Sequence, residues 1–311
     1  MSHAPRWPNV RHHRYGADWR SSVFERAYLE EMFEALAAGM GSAFESTRFL
    51  LFHHNTYWRP LPELDEDYRD AVLIWLADEN GHVPREWAGR FRAIFKAYWP
   101  LPQAVGNLHP FPLGISDAVA SHPVIGWDDR DIPVFFSGNL NANRVDLYRS
   151  LTWLRWVPPF ELRPYLARRI YWAGLKRVEF RKDFSARFPP GSIFRFSDGF
   201  GQGLAGDDFA GHLARTRIAV CPMGFRSVEC FRHFEAMKLG CVILSPPLPP
   251  NPFYRDSPIV VIDRWRDLGG LVKGLLADPS GLRERSQATL RWWEDRCSPR
   301  AAADQIRAAL A

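Results

Sequence analysis

Residues 220–245 read VCPMGFRSVECFRHFEAMKLGCVILS, and this stretch decides the fold. The apolar run Arg217–Cys221 stops at Pro222 and Gly224. A helix-like segment is predicted from about Ser227 to Leu239, and Gly240 closes it. A second apolar run, Cys241–Leu244, leads into a proline-rich loop. Strand, helix and strand in that order, with glycine at the helix end, form one unit of a parallel α/β sheet. Its helix carries Glu229, Arg232 and Glu235 at spacings of three, which makes neighbours of consecutive members. One reading is a salt-bridged face, worth roughly 0.2–0.5 kcal/mol per pair. The other is a ligand site, because open α/β sheets bind ligands beyond the carboxyl ends of their strands and helix amino termini attract phosphate.

Arg232-His-Phe-Glu235-Ala-Met-Lys-Leu-Gly240-Cys-Val, with Cys221-Pro-Met-Gly224 upstream, resembles the donor-site segment of exostosin-like glycosyltransferases. The likeness covers residues 131–265 and is faint before them. It implies the GT-B fold, in which two Rossmann-like domains face each other across a cleft. It also implies that Glu235 holds the ribose of a nucleotide-sugar and that Arg232 lies near the diphosphate. Retaining members carry two glutamates eight apart. Here Glu229 and Glu235 are six apart and Met237 stands eight after Glu229, which points to an inverting enzyme.

A chain of 311 residues has room for two domains. The expected boundary leaves a short acceptor-side domain at residues 1–127 and a donor-binding domain with a closing helix at 128–311. No run of eighteen apolar residues appears, and the polar, basic first twenty residues show no secretory h-region. Cys221, Cys230, Cys241 and Cys297 lack metal-type spacing and read as free thiols in a reducing cytoplasm. The basic residues are almost all arginine, which codon bias explains and diphosphate recognition also suits. Clusters such as Arg168-Arg169 are not interleaved with aromatics in any nucleic-acid motif, so no nucleic acid partner is expected.

Along the chain, the first twenty residues read as a loose arm. Helix is expected over 22–38, strand over 48–52 and 71–77, helix over 84–97, and a proline-rich segment to Gly114. Strand 132–136 then opens the second domain, followed by helices at 143–156 and 162–174, strand 192–196, helix 207–214, the quoted unit, strand 253–262 and a helix over 282–296. Alternation of this kind implies a parallel sheet covered on both faces.

On the donor side, Ser137-Gly138-Asn139 ends a strand, and Arg144 follows at the start of a helix. A plain turn explains the loop as well as a phosphate cradle does. The glycine-rich 198–206 loop, preceded by Arg195, reads as a surface connection or as the base-binding wall. Arg226, just before the quoted helix, is the better candidate for binding phosphate because the helix amino terminus adds its own partial charge there. Inverting transfer needs a base for the acceptor hydroxyl and positive charge on the leaving diphosphate. Asp78 and Glu79, at the end of a buried strand, are the first candidates for the base, with a turn cap as the alternative; His53, and His54 beside it, come next. Asp129-Arg-Asp131 and Asp65-Glu-Asp67 match a metal-binding aspartate pair, yet no histidine lies at metal spacing, and no essential metal or cofactor is expected. Trp58 suits stacking on an acceptor sugar, while Trp75, Trp87 and Trp99 read as core. The expected function is transfer of sugar from a nucleoside diphosphate sugar to a glycan or lipid-linked acceptor, in the cytoplasm, with contact at the inner membrane surface left open. The alternatives are a degenerate relative that binds nucleotide or glycan inside a polysaccharide-assembly complex, and a nucleic-acid binder resting on arginine content alone.

Overall fold

The computed structural model describes residues 6–14, 16, 19–21, 23–64, 67–153, 181–199 and 201–311. Within them lie two five-stranded sheets with every pairing parallel. The first runs β1 (Val10–His12), β2 (Arg48–His53), β3 (Tyr68–Leu76), β4 (Phe91–Lys96) and β5 (Leu108–Pro110) in chain order. The second contains β6 (Ile132–Asn139), β7 (Ile193–Ser197), β8 (Thr216–Val220), β9 (Val242–Ser245) and β10 (Val260–Val261), in spatial order 10-9-8-6-7. Strand order therefore reverses between β6 and β8, whereas the first sheet has no such point.

The helices among the described residues are α1 (Arg26–Met40), α2 (Ser42–Ser46), α3 (Asp117–Ser121), α4 (Val145–Ser150), α5 (Gly206–Ala214), α6 (Phe231–Lys238), α7 (Leu268–Leu276), α8 (Pro279–Trp292) and α9 (Pro299–Leu310). Side-chain alternation splits β3 between two cores. Val72, Ile74 and Leu76 join a cluster that also holds α1, α6 and α9 residues, while Ala71, Leu73 and Trp75 pack with Phe52, Trp87 and Trp99 on the other face. In the second sheet Phe135, Ala219 and Ile243 enter that same shared cluster. Val134, Phe136, Ile218 and Leu244 face a separate core with α7 and α8. One apolar body thus joins the two sheets.

Most expected elements are present within a few residues, and five expectations change. The arm contains β1, paired in parallel with β2, and buries Trp7 and Trp19. Residues 84–97 are a 3-10 turn (Arg85–Arg90) and then β4, because Ala93 and Phe95 on one face and Phe91 and Ile94 on the other all find apolar partners. Strand 253–262 shrinks to β10, since Pro252 opens a 3-10 turn capped by Asn251. The quoted helix starts at Phe231 instead of Ser227. Finally, α8 passes through a π-helical turn (Trp293–Cys297) into α9, which packs on α1 of the first sheet. Tyr28 of α1 donates to the Cys297 carbonyl at 2.8 Å, and Arg92 donates to the Leu310 carbonyl at 2.8 Å. The expected helix at 162–174 and residues 154–156 of that at 143–156 lie outside the described residues, and α4 ends at Ser150 with Leu151 as its cap. Among the described residues no helix is long and apolar enough to cross a membrane.

Candidate functional site

The reversal between β6 and β8 is where a parallel sheet opens a crevice at its carboxyl edge. Here β6 ends in Ser137-Gly138-Asn139, and the chain leaves β8 through Cys221–Gly224. The Asn141 side chain accepts from the Asn143 amide and tightens the turn that throws Arg144 back over the strand ends. Arg144 donates from Nε to the Met223 carbonyl (2.9 Å) and from Nη1 to Asn139 Oδ1 (2.8 Å). Arg232, in the first turn of α6, donates from Nη2 to the Ser137 carbonyl at 3.1 Å. Both guanidiniums lie over the Phe136 ring, 5.9 and 5.6 Å from its centre. A Cβ on Gly138 would sit 2.8 Å from Arg144 Nη1 and 3.0 Å from Arg232 Nη2, so glycine is what lets the two charges converge.

Neither arginine has a carboxylate partner among the described residues, and the buried Arg232 Nε makes no hydrogen bond. Burial, and then the like charge of Arg232, depress Arg144 to about 9. Two guanidiniums without a carboxylate at a switch point form an anion site with spare donors.

Cys230 is extended (φ −154°, ψ 164°) and caps α6, which leaves Glu229 in the preceding loop. The trio expected on one helix face therefore separates. Glu229, 1% exposed, accepts from the Tyr254 hydroxyl (2.8 Å) through Oε1, while Oε2 has no partner. Burial raises its carboxyl to about 7 despite that bond. Glu235 turns toward α3 and accepts from the Ser116 hydroxyl at 2.6 Å; burial raises it as well, against the Ser116 bond and the Arg232 charge. No ion pair forms among the three, so a salt-bridged helix face does not account for them.

The carboxyl edge of the first sheet meets this region. The Glu79 Oε2 accepts from the Arg226 amide (3.1 Å), and a Cβ on Gly224 would lie 3.7 Å from that oxygen. Asp78 is a different case. It is fully buried and ion-paired to buried Lys96 at 3.2 Å, and it accepts from the Thr56 amide and hydroxyl and from the His82 amide. Burial would raise Asp78, but the Lys96 charge and the Thr56 bonds outweigh it and hold the carboxyl down. Its oxygens are committed to bracing the strand ends. His53 lies in a relay that the sequence did not suggest. The Arg14 amide donates to His12 Nδ1 (3.0 Å), which leaves His12 Nε2 as the donor to His53 Nδ1 (3.0 Å). The His53 Nε2 then donates to buried Glu25 (2.9 Å). Glu25 and His12 come from separate parts of the chain; β1 beside β2 brings His12 to His53, and Glu25 reaches it from the start of α1. His54 instead faces the Arg59 and Pro60 carbonyls. Ala77 and Tyr98, following β3 and β4, both adopt left-handed backbone (φ 68° and 54°), a strain that tends to be kept at functional edges.

The remaining candidates are more scattered. Arg195 pairs with Asp183 at 3.0 Å and, with Ser137, Lys182 and Gly203, lines a pocket of about 200 Å³ beyond β6 and β7. The Arg226 guanidinium stacks on Tyr57, 3.4 Å from the ring centre. Trp58 is 74% exposed beside it, whereas Trp75, Trp87 and Trp99 are core, as expected. A larger pocket, about 400 Å³, lies between the proline loop 246–250 and Pro102 and is lined by neither Arg144 nor Arg232. Asp131 of the Asp129-Arg-Asp131 triplet is held by Arg215, and Asp65 falls outside the described residues.

No protein-family model and no curated protein matches the chain. Among solved structures it is similar to a sucrose-phosphate synthase from Thermosynechococcus elongatus, at 12% identity and a TM-score of 0.43, over 93% of this chain and 78% of that one. So loose a likeness adds nothing to the geometry.

Proposed function

We propose that the chain is a glycosyltransferase that takes sugar from a nucleoside diphosphate sugar, inverts at the anomeric carbon, and passes the sugar to a glycan or lipid-linked acceptor. The observation that carries this reading is the convergence of Arg144 and Arg232, without a carboxylate partner, over Gly138 at the strand-order reversal. The paired guanidiniums take the diphosphate and hold the charge that develops on it as the glycosidic bond breaks. Ser137, Gly138 and Asn139 supply backbone around it, Arg226 adds charge, and Arg195 borders the pocket that takes the base or ribose. Glu229 and Glu235 flank the helix start, with Glu235 toward the ribose. Glu79, across from the pair, takes the acceptor proton. His53, oriented by Glu25, shapes the acceptor side within residues 1–127, and Trp58 and Tyr57 offer aromatic surface to it. No step in this scheme calls for a metal. A cytoplasmic setting, with or without contact at the inner membrane surface, belongs to the same proposal.

Calorimetry with uridine and guanosine diphosphates tests the carrying observation. Arg144→Ala and Arg232→Ala each should weaken binding at least ~10-fold, since a charge-assisted hydrogen bond contributes about 1.5–3 kcal/mol. Unchanged affinity in both variants would overturn the proposal. The locked carboxylate of Asp78 and the two occupied nitrogens of His53 favour a second reading, a nucleotide-binding relative without turnover. A panel of nucleotide-sugars separates the two, because slow donor hydrolysis accompanies only a working enzyme.

A further inference from the structure

Beside the arginine pair lies a nucleophilic cluster that sugar transfer does not use. Cys230 Sγ lies 3.4 Å from His233 Nδ1, and His233 Nε2 lies 2.8 Å from Ser245 Oγ, whose hydroxyl donates to the Pro246 carbonyl at 2.9 Å. Because the Ser245 hydrogen is spent on Pro246, His233 Nε2 must be the donor to Ser245. That leaves Nδ1 as an acceptor, bonded by the Cys230 amide at 3.3 Å and facing the sulfur, so a thiol proton taken there displaces that amide bond. In the resulting ion pair every ring N–H has an acceptor, Ser245 on one side and the thiolate on the other. Arg232 Nη1 approaches the sulfur at 4.0 Å, and the first turn of α6 adds its partial positive charge. Cys221, Cys241 and Cys297 are wholly buried with no such base, while Cys230 is half-buried.

We propose that Cys230 is a site of reversible S-thiolation by low-molecular-weight disulfides, which occludes the arginine pair. The thiolate attacks one sulfur of the disulfide, and the new S–S bond forms as the old one breaks. The departing thiolate carries off the electron pair and takes the proton from the His233 imidazolium. Reduction by a free thiol reverses the step. The occlusion rests on the anion-site reading; the thiolate does not.

The charges around the sulfur support this chemistry. Burial opposes ionisation, but His233, Arg232 and Arg144 outweigh it and bring the thiol to about 6. The facing acid and hydroxyls (Glu229, Tyr98 and Tyr254) and the Cys221 thiol act in the other direction.

Iodoacetamide alkylation of the full chain, followed by peptide mass mapping across pH 4.5–10, provides the test. Labelling should fall on Cys230 with a midpoint near 6, and His233→Gln should move that midpoint toward the ordinary cysteine range of about 8.5. Glutathione disulfide should give one adduct, on Cys230, released by dithiothreitol. A wild-type midpoint near 8.5, or an adduct on another cysteine, overturns the assignment without reference to any variant. Uridine diphosphate binding at saturation should slow labelling by at least ~10-fold. Binding without protection sinks the occlusion, whereas failure to bind at all sinks the proposed function and leaves the thiolate standing.

Discussion

Replacing Glu229 by glutamine should remove a specific slope from the pH dependence of stability. The Glu229 carboxyl is raised from 4.5 to about 7, first by burial, with the Tyr254 hydroxyl opposing. Between those two pH values the native state holds a proton that the unfolded chain has released. Folding takes up that proton, so this group's contribution falls as pH rises from about 4.5 to about 7 and is flat above. At about 1.4 kcal/mol per pH unit the loss comes to ~3 kcal/mol. Other groups titrate in the same interval with the opposite sign. His12 and His13, lowered to about 3 and about 4 chiefly by burial, hold fewer protons in the native state, so their contribution rises with pH up to about 6.5 and is flat above. The informative quantity is therefore the difference between the variant and wild type. Glutamine preserves the acceptor for Tyr254 but places an amide where Oε2 has no partner, a pH-independent cost of about 1–3 kcal/mol. Urea unfolding followed by tryptophan fluorescence at several pH values from 4.5 to 8 gives that difference. The two sheets share one apolar cluster. The variant should gain ~3 kcal/mol relative to wild type across the interval. A constant offset at every pH would refute the account of Glu229.

Gly138→Ala should fold normally yet weaken nucleoside diphosphate binding about 10-fold or more in calorimetry, because its Cβ would displace guanidinium nitrogens at 2.8 and 3.0 Å. Lys96→Met leaves the Asp78 carboxylate buried and should cost about 3–5 kcal/mol in urea unfolding, with part of that recovered by adding Asp78→Asn; strict additivity would contradict a buried pair. Gly240→Ala combines left-handed backbone (φ +69°) with a Cβ 2.7 Å from Leu290 Cγ. It should lose about 2–4 kcal/mol and lower Tm, and a loss below ~0.5 kcal/mol would show that α8 does not press on that turn.

Much of the second sheet was legible because its strands are buried runs bounded by glycine and proline, and those signals are local. The β4 strand was misread as helix since Phe91, Ala93, Ile94 and Phe95 fit either period, and only the two apolar faces awaiting them choose between the readings. Glu229 was misplaced for a related reason. Spacing assumes a continuous helix, and extended Cys230 breaks it. The His12–His53–Glu25 relay left no trace in the sequence, because its members are separated by long stretches of chain.

The sequence by itself determined the alternating α/β order, the glycines at Gly138 and Gly240, and the positions of the arginines and glutamates around α6. It did so because hydrophobic period and backbone permissiveness act over a few residues. Tertiary structure decided which of those charges meet. It set Arg144 against Arg232, turned Glu235 toward Ser116, locked Asp78 onto Lys96, and placed Cys230 beside His233 and Ser245. Each of these outcomes depends on burial and on contacts between distant strands, and the electrostatics of a group follows from what surrounds it once the chain has closed.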